Sequence, residues 1–255
     1  MAKKGLIYFA SDIHLGAPAL KNNRERELLF SRWLDEIKDN VAELYLMGDI
    51  FDFWYEYKKV VPRGFSRVIG RIADLTDRGI PVHFFTGNHD VWVFDYLEEE
   101  AGVQVHHKET VKEIRGKKFF LAHGDGLNAN DKGYLFLKKI FTNKVLQWLF
   151  SRLHPNFAFG LAHKWSASSR LSKTDNEPDF MANKDGMYKF AVDFLKTTPV
   201  DYFVMGHRHQ MALEKIEDNT TFILLGDWIN YFSYGVFDGN TFELKKYNEN
   251  ITEEK

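Results

Sequence analysis

Apolar runs along the chain end repeatedly in a short polar segment rich in Asp, Asn and His. Leu6-Ile7-Tyr8-Phe9-Ala10 runs into Ser11-Asp12-Ile13-His14, and Leu44-Tyr45-Leu46-Met47 runs into Gly48-Asp49. Val82-His83-Phe84-Phe85 leads to Thr86-Gly87-Asn88-His89-Asp90, and Lys118-Phe119-Phe120-Leu121-Ala122 to His123-Gly124-Asp125. Tyr202-Phe203-Val204-Met205 leads to Gly206-His207-Arg208-His209. A short apolar run without alternation predicts a strand covered on both faces. Helices are predicted at about Arg24 to Lys38 and Gly64 to Arg78. The resulting βαβαβ order predicts a largely parallel sheet early in the chain. Later, Phe222 to Leu225 and Tyr234 to Leu244, the latter turning at Asp238-Gly239-Asn240, predict an antiparallel part.

Composition narrows the chemistry. The 255 residues allow one large α/β domain with an insertion, and 44% hydrophobic with 27% charged residues is the balance of a globular protein. With no cysteine, metal binding falls to His, Asp, Asn and Glu. The run Leu6 to Ala10 is too short for a signal sequence and leads into Asp12 and His14, so a cytoplasmic protein is expected.

Ligands bind outside the carboxyl ends of strands in open α/β folds, and every polar segment above follows such an end. Asp12, His14, Asp49, Asn88, His123, His207 and His209 then supply seven hard oxygen or imidazole donors. That is too many for one ion and enough for two sharing a carboxylate; Mn, Fe and Zn all suit such donors. Two ions about 3.5–4 Å apart stabilise an in-line phosphoryl transition state without a Ser or Cys nucleophile.

Asp12-x-His14, Gly48-Asp49-x-x-Asp52, Gly87-Asn88-His89-Asp90, His123-Gly124-Asp125 and Gly206-His207-x-His209 resemble, in order and spacing, the motifs of the calcineurin-like metallophosphoesterases. The resemblance implies an α/β sandwich of two mixed sheets flanked by helices. It also implies that Asp12, His14 and His209 hold one metal, Asn88, His123 and His207 the other, with Asp49 bridging. Asp52 and His89 would form a catalytic dyad beside them, and Asn88 would also touch the substrate phosphate.

Gly48-Asp49-Ile50-Phe51-Asp52-Phe53-Trp54 and Leu225-Gly226-Asp227-Trp228 narrow the resemblance, over nearly the whole chain, to the UDP-2,3-diacylglucosamine hydrolases of lipid A biosynthesis. That family implies cleavage of an acylated UDP-sugar, usually with manganese, to UMP and 2,3-diacylglucosamine 1-phosphate. It implies substrate contacts from Asn88, His89, Asp131, Tyr134 and His207, with Ser169 and Arg170 near a further such region. One residue departs from the pattern: His89 stands where the family typically has Arg, which bears on the substrate rather than the reaction class.

Residues 127–195 are expected to form a helical lid inserted in a single domain of residues 1–255. From Leu127 to Thr174 the only acidic residue is Asp131, against Lys132, Lys138, Lys139, Lys144, Arg152, Lys164, Arg170 and Lys173. Tyr134, Leu135, Phe136, Ile140, Phe141, Trp148, Leu149 and Phe150 interleave with them, an apolar set broad enough that much of it should be buried. Such a segment suits either a lid packed on the sheet or the anionic inner face of the cytoplasmic membrane. Its richness in Leu, Ile and Phe argues against nucleic acid as the partner. The alternatives are a phosphoesterase for soluble nucleotides or other diesters, and a non-catalytic scaffold; the intact donor set argues against the scaffold.

Overall fold

The computed structural model describes residues 5–127, 132–162, 164, 180–217 and 219–247. Strands β1 (Leu6–Ala10), β2 (Val41–Leu46), β3 (Val82–Phe85) and β4 (Gln104–His106) run parallel. The hairpin of β10 (Ser233–Phe237) and β11 (Phe242–Lys246) adds antiparallel to β1, giving the order β11-β10-β1-β2-β3-β4. The second sheet contains β5 (Thr110–Ile114), β6 (Lys117–Leu121), β7 (Tyr202–Met205), β8 (Met211–Glu217) and β9 (Thr220–Leu225). Its order is β5-β6-β7-β9-β8, with β6, β7 and β9 parallel and both edge strands antiparallel.

Period-two alternation explains why the central strands read as unbroken apolar runs. Ile7, Phe9, Tyr45, Met47 and Phe85 from one sheet meet Phe119, Leu121, Val204, Ile223 and Leu225 from the other. The intervening Tyr8, Ala10, Leu44, Leu46 and Phe84 face helices α1 (Asn23–Ile37), α2 (Ser66–Asp77) and α3 (Tyr96–Ala101). Phe120, Phe203, Phe222 and Leu224 pack on Met187, Ala191 and Phe194 of α7 (Gly186–Leu195). Each central strand thus has a hydrophobic layer on both faces.

Between β6 and β7 come α4 (Lys132–Thr142), α5 (Lys144–Phe150) and α6 (155–162). Asn143 caps α5, its Oδ1 accepting from the amides of Val145 and Leu146. These helices rest on the strand-end loops through few anchors. The Trp92 indole donates to the Phe141 carbonyl and the Tyr55 hydroxyl to the Gln147 carbonyl, each at 2.8 Å. The Phe150 ring lies 4.8 Å from both Tyr55 and Trp92, and Phe159 lies 5.1 Å from Phe53. Two differences from the expected lid follow. Helix α7 belongs to the sandwich, because its apolar face is buried on β6, β7 and β9. Much of the apolar set on α4 and α5 is not buried: Phe136, Val145, Leu146, Trp148 and Leu149 are exposed, since only one side of each short helix reaches the loops.

Candidate metal centre

The donor loops follow β1, β2, β3, β6 and β7, and the parallel course of these strands brings the loops to one edge of the sandwich. Their backbones are held unusually. Asp12, His14, Asp49, His207 and His209 all have φ between 47° and 69°, the left-handed region that side chains with a Cβ rarely enter. Each such residue costs about 1–3 kcal/mol and persists only where surrounding structure dictates it. Here that structure is visible: the amides of Asp12 and His14 donate to the carbonyls of Gly48 and Asp49, and the His207 amide donates to Asp12 Oδ2 at 2.9 Å. The loops approach so closely that a Cβ on Gly87 would lie 2.2 Å from Asp49 Oδ1, and one on Gly206 would lie 2.0 Å from Ser11 Oγ. Only glycine fits at either position.

The side chains converge accordingly. Nε2 of His14 lies 3.7 Å from Asp12 Oδ1, 3.6 Å from Asp49 Oδ2 and 3.3 Å from Nε2 of His209. His209 Nε2 is 3.6 Å from Asp12 Oδ1, and His123 Nε2 is 3.4 Å from the same Asp49 oxygen. The donors group as Asp12 with His14 and His209, and as Asp49 with His123 and His207; a third group joins His14, Asp49 and His89. Asp49 therefore stands between the two sets.

A second layer of groups fixes these donors. His123 donates from Nδ1 to the Met47 carbonyl at 2.8 Å, which turns Nε2 toward Asp49. Asp227 performs the same service for His209, accepting from Nδ1 at 3.2 Å while its other oxygen takes the amides of Ile229, Asn230 and Tyr231. Buried Asp90 accepts from the amides of Asp49, Ile50, Phe51 and Gly87, locking the β2 and β3 loops together. The Asp52 carboxylate is 3.4 Å from Nδ1 of His14 and 3.7 Å from Nδ1 of His89. The hydrogen bond that anchors His89 goes instead to the Asp52 backbone carbonyl, at 2.8 Å. The His89 amide donates to Asp49 Oδ1.

The electrostatics call for positive charge. Burial raises the carboxyls of Asp12 and Asp49, but the facing imidazoles outweigh it and hold both well below the usual range. Burial in turn lowers His123, yet the Asp49 charge beside it drives that imidazole up to about 10. Asp90, buried and facing the Asp49 charge, is pushed up to about 7. Asp12 Oδ1, Asn88 Oδ1 and His123 Nε2 are buried and accept or donate no hydrogen bond among the described residues. Unsatisfied acceptors and a net demand for cations, built from hard oxygens and imidazoles, fit divalent metal ions.

Most of the residues singled out in the sequence meet here. Tyr134 reaches the site's rim, donating to Asp125 Oδ2 at 2.6 Å with its ring 6.2 Å from that of His207. Asp131, Ser169 and Arg170 lie outside the described residues. Reading the sequence missed the supporting roles of Asp90, Asp125 and Asp227. Asp125 ties α4 to the His123 loop, pairing also with Lys138 at 2.6 Å. Asp90, Asp125 and Asp227 each fall in a quoted motif, and that adjacency was the one available signal.

Comparison with known proteins agrees with this geometry. Residues 5–211 match the sequence model of the calcineurin-like phosphoesterases. A UDP-2,3-diacylglucosamine hydrolase of Porphyromonas gingivalis is 39% identical, covering 94% of this chain and 96% of that protein. Proteins of the same name from Histophilus somni and Vibrio atlanticus are each 29% identical, over 87% and 93% of this chain and 91% and 96% of theirs.

Proposed function

The chain belongs to the calcineurin-like phosphoesterases and, within them, to the family of the UDP-2,3-diacylglucosamine hydrolases; from that premise we propose that it cleaves the pyrophosphate of UDP-2,3-diacylglucosamine. The products are UMP and 2,3-diacylglucosamine 1-phosphate, a step of lipid A biosynthesis. The observation that carries the reading is Asp49 Oδ2, within 3.6 Å of His14 Nε2 on one side and 3.4 Å of His123 Nε2 on the other. Asp12, His14 and His209 would hold one divalent ion and Asn88, His123 and His207 the second, with Asp49 shared. Manganese is the ion we assign. When bound, the two ions neutralise charge on the phosphate and acidify water.

The chain's own residues do the rest. Asp227 and the Met47 carbonyl orient the imidazoles of His209 and His123, fixing which nitrogen each presents to the centre. His89 is held by its Nδ1 on the Asp52 carbonyl and lies edge-on to the His14 ring, beside the donors, and we assign its Nε2 to the substrate phosphate. In its protonated form that nitrogen donates to a phosphate oxygen, the part a guanidinium plays in the family pattern. Tyr134 and His207 border the same space.

Acyl chains demand access to a lipid surface. Helices α4, α5 and α6 leave Phe136, Trp148, Leu149, Phe157 and Leu161 exposed, and Arg152 lies over the Trp148 ring at 4.7 Å. We assign these residues to the inner leaflet of the cytoplasmic membrane: aromatic and aliphatic side chains enter the interface, and Lys and Arg meet its anionic head groups. No described helix is long and apolar enough to cross a membrane.

The test is UMP release from UDP-2,3-diacylglucosamine by the manganese-supplied protein, alongside UDP-N-acetylglucosamine and an aryl phosphodiester. Selective cleavage of the acylated substrate is expected. Cleavage of the diester alone would make His89 the mark of a paralogue with another substrate.

A further inference from the structure

We infer that the cavity beside the His123 loop, beneath α4 and α5, binds the nucleoside of a pyrimidine nucleotide, which on the hydrolase reading above is the uridine half of the substrate. The cavity encloses about 330 Å³ and opens against Gly87, His123 and Asp125, so a phosphate at the metal centre and a ring in the cavity belong to one ligand. This volume lies in the lower range of small-molecule sites.

Its walls suit a flat, neutral, polar ring. His106 lines the cavity and is fixed from behind by a chain of polar groups: its Nε2 lies 3.0 Å from Nδ1 of His83, whose Nε2 lies 2.8 Å from Glu43. Glu43 also accepts from Lys112 at 2.6 Å and from the Tyr45 hydroxyl at 2.7 Å. With Nε2 so committed and the ring stacked on Phe85 at 4.5 Å, Nδ1 is the nitrogen left for a ligand. Burial, with the charges of His83 and Lys112, brings the His106 imidazole down to about 4. A neutral imidazole offers a hydrogen bond to the edge of a base rather than charge to a phosphate.

Phe94 supplies an aromatic face in the same cavity, with the Lys144 ammonium 5.6 Å from its ring centre. Lys144 makes no ion pair among the described residues, whereas Lys138 is neutralised by Asp125. An acyl chain placed here would desolvate His106, Lys144 and Gln147 without matching them. The rings of Phe53, Phe150 and Phe159, none of which lines the cavity, offer the acylated half a better surface.

Calorimetric titration of the manganese-loaded protein with UMP and with ribose 5-phosphate tests the assignment in wild type, Phe94→Leu and Lys144→Ala. Phe94→Leu keeps the apolar volume and removes the stacking face. It should weaken UMP by about tenfold and ribose 5-phosphate by less than about twofold. The exposed Lys144→Ala should weaken both ligands, through charge. Equal loss of both ligands in Phe94→Leu would overturn the assignment. So would unchanged UMP affinity with loss of 2,3-diacylglucosamine 1-phosphate binding. The hydrolase reading is tested separately: UMP binding of this pattern without UMP release from the acylated substrate sinks that reading and leaves the cavity standing. UMP release without the pattern does the reverse.

Discussion

Asp12, Asp49 and His123 are 0%, 2% and 3% exposed, whereas Val145, Trp148 and Leu149 on α5 are 65%, 55% and 50% exposed. The two regions meet through Asp125, which follows His123 by two residues and holds Tyr134 and Lys138 of α4. One region is buried, strained in backbone and cross-linked by hydrogen bonds from five strand ends. Besides the Asp125 link, the other touches the body through aromatic rings and through the Tyr55 and Trp92 hydrogen bonds to backbone carbonyls of α4 and α5, and it leaves several large apolar side chains in solvent. The difference suits separate tasks under the proposed function: the strand ends would hold a fixed charge distribution for phosphoryl chemistry, and α4 and α5 would adapt to a lipid-bearing substrate.

The largest effect expected falls on the first region. Asp49→Ala should lower UMP release by about a thousandfold or more, because it removes the carboxylate shared by both donor sets. Circular dichroism and gel filtration should still report a folded protein. Near-full activity would break the division of tasks.

A step outward, Asp227→Asn should lower metal affinity or activity by about 10- to 100-fold, with activity partly recovered by added manganese. Asp227 acts through His209, so a loss that no metal concentration relieves would assign it another role.

On α5, Trp148→Ser with Leu149→Ser should weaken co-sedimentation with anionic phospholipid vesicles by about tenfold to a hundredfold, since full burial of one such side chain is worth about 1.5 kcal/mol or more and entry into the interface buries only part of each. The melting temperature should hardly move, because neither residue is buried. A large drop in melting temperature would mean that this face packs within the protein.

The smallest effect concerns the scaffold itself. Burial raises the Glu43 carboxyl, but hydrogen bonds from His83, Lys112 and Tyr45 outweigh it and bring the group down to about 2. A carboxyl lowered on folding adds stability above its unfolded value near 4.5, and that stability is lost as pH falls toward 2. Urea unfolding should show Glu43→Gln about 1 kcal/mol less stable than wild type at pH 7. The gap should narrow at pH 3.

Much of the first region was legible in the sequence because its physics is local. Strands β1, β3 and β7 are buried on both faces, so Leu6–Ala10, Val82–Phe85 and Tyr202–Met205 read as apolar runs with their true ends. The donors follow those ends in chain order. Edge strands were not legible: Thr110–Ile114 alternates exposed with more buried positions, Met211–Glu217 is exposed at Leu213, Glu214 and Lys215, and Lys and Glu break the apolar signal in both. Nor does spacing reveal which carboxylate will orient which imidazole. Asp227 reaches His209 only through the pairing of β8 with β9, and Asp52 lies nearer His14 than its expected partner His89. The lid's apolar residues looked like core because composition does not say on which side a helix meets its support.

The most direct test is a manganese titration of chelator-stripped protein, with UMP release from UDP-2,3-diacylglucosamine followed at each addition. Activity that rises through a second equivalent of manganese per chain is the predicted result, since Asp49 joins two donor sets. Full activity at one equivalent, or without metal, would contradict it.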